Sequence, residues 1–390
     1  MKFDFDKVVD RHGTKCLKYD FAKERGRSDD MLPLWVADMD FQTAPGIQKS
    51  LSDAVAHGIY GYSEGKDDYF QAAAGWYEKH FGWKVEKEWL IKTPGVVFAL
   101  AMAVKAYTKE GDAVLLQQPV YYPFSEVITD NHRRLINSPL QQIDGHYEIN
   151  FEEFEQKIVE ENVKLFLMCS PHNPVGRVWK EWELRKIGDI CLKHNVLVVS
   201  EIHSDFTYGE NIHHVFASLD EKYAAITTTC TAPSKTFNIA GLQISNIWIS
   251  NPELRARFRA EVTAAGYSQV NLMGLVACQA AYETGEEWLK ELKIYLEGNL
   301  DYVRTFLKEN LPEIKLTEPE GTYLLWLDFK SLGMKEEQLK DLVENKAKLW
   351  LDSGEMFGPD GEGFERINIA CPREILKQAL TQLAESVHDR

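Results

Sequence analysis

Apolar positions in the middle of the chain fall into two alternating patterns. Short runs of mainly apolar or β-branched residues occupy 112–116, 163–169, 196–200, 225–229 and 244–249, which is typical of strands buried on both faces. Segments with apolar residues at helical spacing, such as 180–195, lie between these runs. The alternation predicts an α/β domain whose mostly parallel sheet is covered by helices on both sides.

The pattern changes after about residue 252. Apolar residues from Trp288 to Leu307 recur at steps of three and four, which predicts a long amphipathic helix. Two strand-like runs, 322–329 and 364–370, flank a glycine-rich loop and precede a terminal helix. We therefore expect three units: an N-terminal segment, 1–48, that packs with the small domain; a large α/β domain, 49–283; and a small C-terminal α+β domain, 284–390.

Charge and cysteine usage narrow the classes of partner. The 390-residue chain has 44 Lys and Arg against 60 Asp and Glu, a net charge of -16 that opposes binding to nucleic acid or to anionic membranes. Its six cysteines are scattered with no Cys-x-x-Cys pair, and no apolar run suits a membrane span or a signal peptide. These features predict reduced thiols and a cytoplasmic location. Histidines such as His213 and His214 lack ligand spacing, so we expect no metal site.

Three segments offer candidate chemistry at the ends of predicted strands. Gly95 opens a predicted helix whose free amides could bind an anion, although most such helix starts bind none. Lys235 follows the strand 225–229 in a run with almost no other charge, where an amine of lowered pKa could form an imine. Asn173 follows the strand 163–169 in a proline-rich turn. In open α/β sheets, ligands bind beyond the carboxyl ends of the strands.

Seven ordered motifs resemble those of a known family. They are WVADMDF (35–41), YGY (60–62), QPVYYPF (118–124), SPHNPVG (170–176), EIHSDF (201–206), TAPSKTFNIAGLQ (231–243) and GFERINIACPR (363–373). The set resembles the fold-type-I pyridoxal-phosphate (PLP) enzymes and, within them, the cystathionine β-lyase branch of the class-I/II aminotransferase group. The resemblance spans Trp35 to Arg373 and implies a large domain with a mostly parallel sheet plus a smaller α+β domain.

The resemblance also implies roles for individual residues. Lys235 would bind PLP covalently and then move the proton of the substrate α-carbon, and Tyr121 would stack on the cofactor ring. Arg366 would grip the substrate carboxylate, next to Trp35 and Ala37. The remaining cofactor contacts would be Asn173 and His203 at the phenolic oxygen, and the Val96 and Val97 amides, the Ser234 hydroxyl and Tyr62 of a neighbouring subunit at the phosphate. The contribution of Tyr62 implies a homodimer.

Two positions depart from the family pattern. Gln243 stands eight residues after Lys235, where the wider aminotransferase group usually has an arginine, and this favours the lyase branch. The family reads Ser-Asp-Glu-Ile-His where this chain has Ser200-Glu201-Ile202-His203, one residue shorter. The missing aspartate pairs with the pyridine nitrogen of the cofactor. Either Glu201 takes its role, or the partner is absent, or the recorded sequence omits a residue.

The resemblance implies a carbon-sulfur β-lyase that cleaves L-cystathionine or related S-substituted cysteines to a thiol, pyruvate and ammonia. Two alternatives stay open. An aminotransferase would use the same residues but require a 2-oxo acid acceptor. A PLP-binding regulatory protein without activity would account for the missing aspartate, but the negative charge and the absence of a basic helix-turn-helix segment argue against a DNA-binding form.

Overall fold

The computed structural model describes residues 2–202 and 205–389. The α-helices in chain order are α1 Pro45–His57, α2 Asp67–Phe81, α3 Val96–Tyr107, α4 Pro123–Thr129, α5 Phe151–Glu160, α6 Glu181–Lys193, α7 Glu221–Ala224, α8 Pro252–Ala264, α9 Leu272–Thr284, α10 Glu286–Asn310, α11 Glu336–Lys340 and α12 Arg373–His388. The β-strands are β1 Leu32–Pro33, β2 Leu90–Thr93, β3 Ala113–Leu116, β4 Arg134–Asn137, β5 Leu140–Ile143, β6 His146–Ile149, β7 Leu165–Ser170, β8 Leu197–Ile202, β9 Thr227–Thr231, β10 Ser245–Trp248, β11 Lys315–Thr317, β12 Leu324–Asp328, β13 Leu349–Trp350, β14 Asp352–Ser353 and β15 Phe364–Asn368.

A seven-stranded sheet organises the middle of the chain, in the order β2-β10-β9-β8-β7-β3-β4. Only β10 runs against the other six strands. Successive residues of β3 point to opposite apolar cores, since Leu116 packs with α3 and α8 whereas Leu115 packs with α5 and α6. The predicted α/β fold with a mostly parallel sheet and helices on both faces is therefore confirmed.

The C-terminal part of the chain builds a second sheet. Four antiparallel strands in the order β11-β12-β15-β14 pack against α10 and α12 in a shared apolar core. The predicted helix corresponds to the 25-residue α10, on which Trp288 and Leu307 are buried. This arrangement places β15, which carries Arg366, beside the edge strand β14.

The first 44 residues contain little regular structure and contact the C-terminal part. Strand β1 pairs in parallel with β13, with Leu32 opposite Leu349. The Phe5 ring lies 5.8 Å from that of Trp288 and 5.5 Å from that of Tyr295. These contacts agree with the predicted packing of this segment. Among the described residues, no helix is both long and apolar enough to cross a bilayer.

Candidate active site

The carboxyl ends of three adjacent parallel strands meet at one edge of the large sheet. Asn173 follows β7, Glu201 lies near the end of β8, and Lys235 follows β9. Tyr121 belongs to the same edge, because its backbone amide donates to the Asn173 carbonyl at 3.0 Å. Lys235, Tyr121, Asn173 and Ala37 line one small cavity, which Tyr323 also borders. Four of the predicted site residues are thus brought together.

Among the described residues, one hydrogen bond holds the amine of Lys235 within this cavity. Its Nζ donates to the Ala37 carbonyl at 2.7 Å, and the Tyr323 hydroxyl donates to the same oxygen at 3.2 Å. Burial lowers the pKa of the Lys235 amine and Arg366 lowers it further, against the opposing charges of Asp38 and Glu201. A larger fraction of this amine is therefore neutral than for an exposed lysine.

The segment 35–41 reaches the cavity because two asparagines anchor its backbone. The Asn368 amide donates to the carbonyls of Val36 and Asp38 at 2.8 and 2.6 Å. Asn238 exchanges hydrogen bonds with the backbone of Met39, accepting from its amide at 2.9 Å and donating to its carbonyl at 2.8 Å. These bonds fix the carbonyl of Ala37 in front of Lys235.

Arg366 lies beside the cavity and is almost completely buried. Its Nη1 donates to Asn173 Oδ1 at 3.0 Å and its Nη2 to the Trp35 carbonyl at 2.9 Å. It also forms an ion pair with Asp352, which sequence reasoning missed. Burial raises the pKa of the Asp352 carboxyl, although Arg366 opposes this shift. The guanidinium also stacks over Phe357, 4.9 Å from the ring centre.

Glu201 is buried on the sheet face that carries Tyr121. It pairs with Cys169 across β7 and β8, and the Cys169 thiol lies 3.6 Å from Glu201 Oε2. Burial, together with the charge of Glu201, raises the pKa of this thiol, so it stays protonated and donates to the carboxylate. Besides the effects of burial, the charge of Glu201 raises the pKa of both Tyr121 and Lys235.

Helix α3 begins without a side-chain cap. Gly95, its N-cap residue, has φ 140°, and nothing lies within 4 Å of the position a Cβ would take. The backbone amides of Val96 and Val97 are the first two of α3. They therefore lie at the positive end of the helix dipole, which favours an anion. Ser234 directly precedes Lys235, so its hydroxyl belongs to the same loop.

Tyr62 does not line this cavity. Tyr62 lies between α1 and α2 with 95% of its surface exposed. His203 lies outside the described residues. Trp35, by contrast, lies next to the cavity, because its carbonyl accepts a hydrogen bond from Arg366. Its ring stacks on that of Trp350, with 4.6 Å between the ring centres.

Comparison with known proteins places this geometry in a family. The family model for aminotransferase class I and II matches residues 30–383. The chain belongs to the class I and II aminotransferase family. The predicted family resemblance is therefore confirmed, and the strand-end cavity with Lys235 lies within the region that the family model matches.

Individual members of this family are similar over their whole length. The chain is 43% identical to cystathionine beta-lyase PatB of Bacillus subtilis (strain 168), over 97% of this chain and 98% of that protein. It is 33% identical to protein MalY of Escherichia coli (strain K12), over 99% of each. Cystalysin from Treponema denticola, whose crystal structure contains a pyridoxal 5'-phosphate cofactor, superposes with a TM-score of 0.96 at 38% identity and full coverage of both chains.

Proposed function

We propose that the protein is a PLP-dependent carbon-sulfur β-lyase that cleaves L-cystathionine or related S-substituted cysteines to a thiol, pyruvate and ammonia. The full-length similarity to cystathionine beta-lyase PatB carries this proposal. The half-buried lysine at the strand ends and the buried arginine beside it supply the two groups that an amino-acid substrate of such an enzyme requires.

The residues present fit PLP. A lysine of lowered pKa suits covalent attachment of an aldehyde, and a helix start that faces open space suits a phosphate. The partly buried ring of Tyr121 in the same cavity offers a stacking surface. When bound, PLP supplies an electron sink that stabilises negative charge at the substrate α-carbon.

Lys235 acts as both anchor and base in this proposal. Its Nζ would hold the cofactor and, once free, would accept the proton of the substrate α-carbon. Burial supports this role, since the lowered pKa keeps more of the amine in the neutral, proton-accepting form. The Ala37 carbonyl, 2.7 Å away, limits the directions that Nζ can take.

Arg366 binds the substrate α-carboxylate, and Trp35 and Ala37 shape the adjoining wall. Asn173 accepts from Arg366, so its amide nitrogen can donate toward the phenolic oxygen of the cofactor. We propose that Glu201 pairs with the pyridine nitrogen. Its buried carboxylate, whose charge acts on Lys235 and Tyr121, supports this assignment despite the shortened motif.

The phosphate is proposed to rest on the Val96 and Val97 amides and the Ser234 hydroxyl, with Tyr62 donated by a second copy of the chain. The almost complete exposure of Tyr62, with exposed Ile59 and Tyr60 beside it, supports a homodimer that covers this loop. We also propose a cytoplasmic location, because all six cysteines are unpaired thiols.

Replacement of the lysine tests the site. The Lys235→Ala variant should retain the fold but lose at least about 1,000-fold in pyruvate release from L-cystathionine, and the visible absorbance of the lysine-bound cofactor should disappear. Lys308→Ala, which removes an exposed lysine of α10, is the control and should match the unchanged protein. Normal turnover by Lys235→Ala would refute this assignment.

A further inference from the structure

The guanidinium of Arg366 is already nearly saturated before any substrate arrives. Nη1 donates to Asn173, and Nη2 donates both to the Trp35 carbonyl and to Asp352 Oδ2. Nε is buried and has no hydrogen-bond partner among the described residues. The unused hydrogens are therefore the one on Nε and one on Nη1.

These two unused hydrogens cannot hold a carboxylate together. A guanidinium binds both oxygens of a carboxylate along one of two edges, Nε with Nη2 or Nη1 with Nη2. Each edge requires a hydrogen of Nη2, and both of its hydrogens are occupied by Trp35 and Asp352. A bidentate grip on the substrate must therefore displace one of these two acceptors.

Asp352 is the acceptor that can leave. The Trp35 carbonyl is a backbone group of the segment 35–41, which Asn368 anchors, whereas Asp352 contributes a rotatable side chain from the short edge strand β14. Asp352 also borders a second cavity of about 500 Å³, which Lys235 does not line. Arg25 lines that cavity and can receive a displaced carboxylate, whereas Arg27, also in its lining, is already paired with Glu344 at 2.8 Å.

We propose that Asp352 is a positioning residue that holds Arg366 in the ligand-free enzyme and is displaced toward Arg25 by the substrate α-carboxylate. This inference rests on the proposed role of Arg366. Asp352 and Arg366 lie directly opposite each other in the register of β14 and β15, which keeps the guanidinium oriented while the site is empty. The ion pair thereby sets substrate affinity, because each binding event must break it.

Removing the negative charge of Asp352 while keeping the shape of its side chain distinguishes competition with the substrate from a purely structural role. In Asp352→Asn, the side chain can still accept from Nη2, but the competing negative charge is gone. We expect the holoenzyme of this variant to show about a tenfold lower KM for L-cystathionine, with kcat changed less than about threefold. Asp360→Asn, which neutralises an exposed aspartate on the following turn, is the matched control and should leave both constants unchanged.

Equilibrium binding keeps the test independent of turnover. L-alanine has both an amine and an α-carboxylate but no β leaving group, whereas ethylamine lacks the carboxylate. Spectral titration of the holoenzymes should show about tenfold tighter L-alanine binding by Asp352→Asn and unchanged ethylamine binding. Failure of lyase activity alone would contradict the proposed function and leave this readout intact. Unchanged or weaker L-alanine binding, or an equal change for ethylamine, would overturn the role of Asp352.

A structural measurement covers the case in which the asparagine variant does not fold. Asp352→Ser, which introduces a smaller uncharged side chain, can replace it in the same titrations.

A crystal structure of the unchanged holoenzyme with L-alanine should show the carboxylate on Nη2 of Arg366 and the Asp352 side chain turned toward Arg25. Asp352 still paired with Nη2 in that complex would overturn the proposal.

Discussion

Glu201 decides whether the shortened strand end still supports catalysis. If its carboxylate pairs with the pyridine nitrogen, Glu201→Gln should lower kcat by about 100-fold with little change in KM, because the charge acts during proton removal and not during substrate capture. Glu201→Asp should retain more activity than Glu201→Gln. Steady-state kinetics on holoenzymes measures both, with the exposed Glu210→Gln as control. Equal activity of Glu201→Gln and the unchanged protein would show that Glu201 has another role.

At this scale, the sequence predicts residues whose chemistry is tied to a motif. Lys235, Tyr121 and Asn173 follow predicted strands, and the structure brings them to one cavity. Asp352 and Tyr323 could not be predicted in the same way. Asp352 meets Arg366 only because β14 pairs with β15, and neither the two-residue length of β14 nor its register is visible in the hydrophobic pattern.

Strand positions are predicted well, but their ends shift by up to two residues. The run 225–229 predicts a strand that the structure places at Thr227–Thr231. The earlier residues turn instead, because the Asp220 side chain accepts from the Lys222 amide and caps the short helix α7. The hairpin of β5 and β6 was not predicted, although Asp144-Gly145 at its tip, both with positive φ, is a typical turn signal.

The segment 35–41, whose backbone Asn368 anchors, holds carbonyl groups of the site in place. Asn368→Ala would leave the carbonyls of Val36 and Asp38 and the amide of Ala370 without this partner. We expect a loss of about 2–3 kcal/mol in the free energy of unfolding. The KM should also rise, because the Trp35 and Ala37 carbonyls would lose their fixed positions.

Chemical denaturation and steady-state kinetics check this prediction together. Asn345→Ala provides the control, since that asparagine is exposed and its amide bonds only to the exposed Asp341 at 2.8 Å. The control should lose less than about 0.5 kcal/mol. Equal losses for the two variants would contradict the anchoring role of Asn368.

At the scale of the whole molecule, the proposed homodimer predicts active sites shared between subunits. Lys235→Ala and Tyr62→Ala should each be nearly inactive alone. In a mixed dimer, one site combines Lys235 and Tyr62 from the two different subunits and is intact. Random reassociation of equal amounts should restore about a quarter of the activity of the unchanged protein, since half of the dimers are mixed and each has one intact site.

Coexpression with two affinity tags measures this complementation directly, and Tyr62→Phe shows whether the hydroxyl is required. Activity that stays at the level of the separate variants would contradict a contribution of Tyr62 across the interface.

The division into a large domain, 49–283, and a small domain, 284–390, remains a prediction. Limited proteolysis should cut preferentially near residues 284–286 if the two units unfold separately.

The central claim is that carbon-sulfur cleavage, and not amino-group transfer, is the reaction of this site. The direct measurement is the release of pyruvate and thiol from L-cystathionine by the purified PLP-loaded protein, with and without an added 2-oxo acid. We predict pyruvate and thiol in equal amounts without the acceptor, and no increase when it is added. Transfer of the amino group that occurs only with the 2-oxo acid, or no product under either condition, would contradict the proposed function.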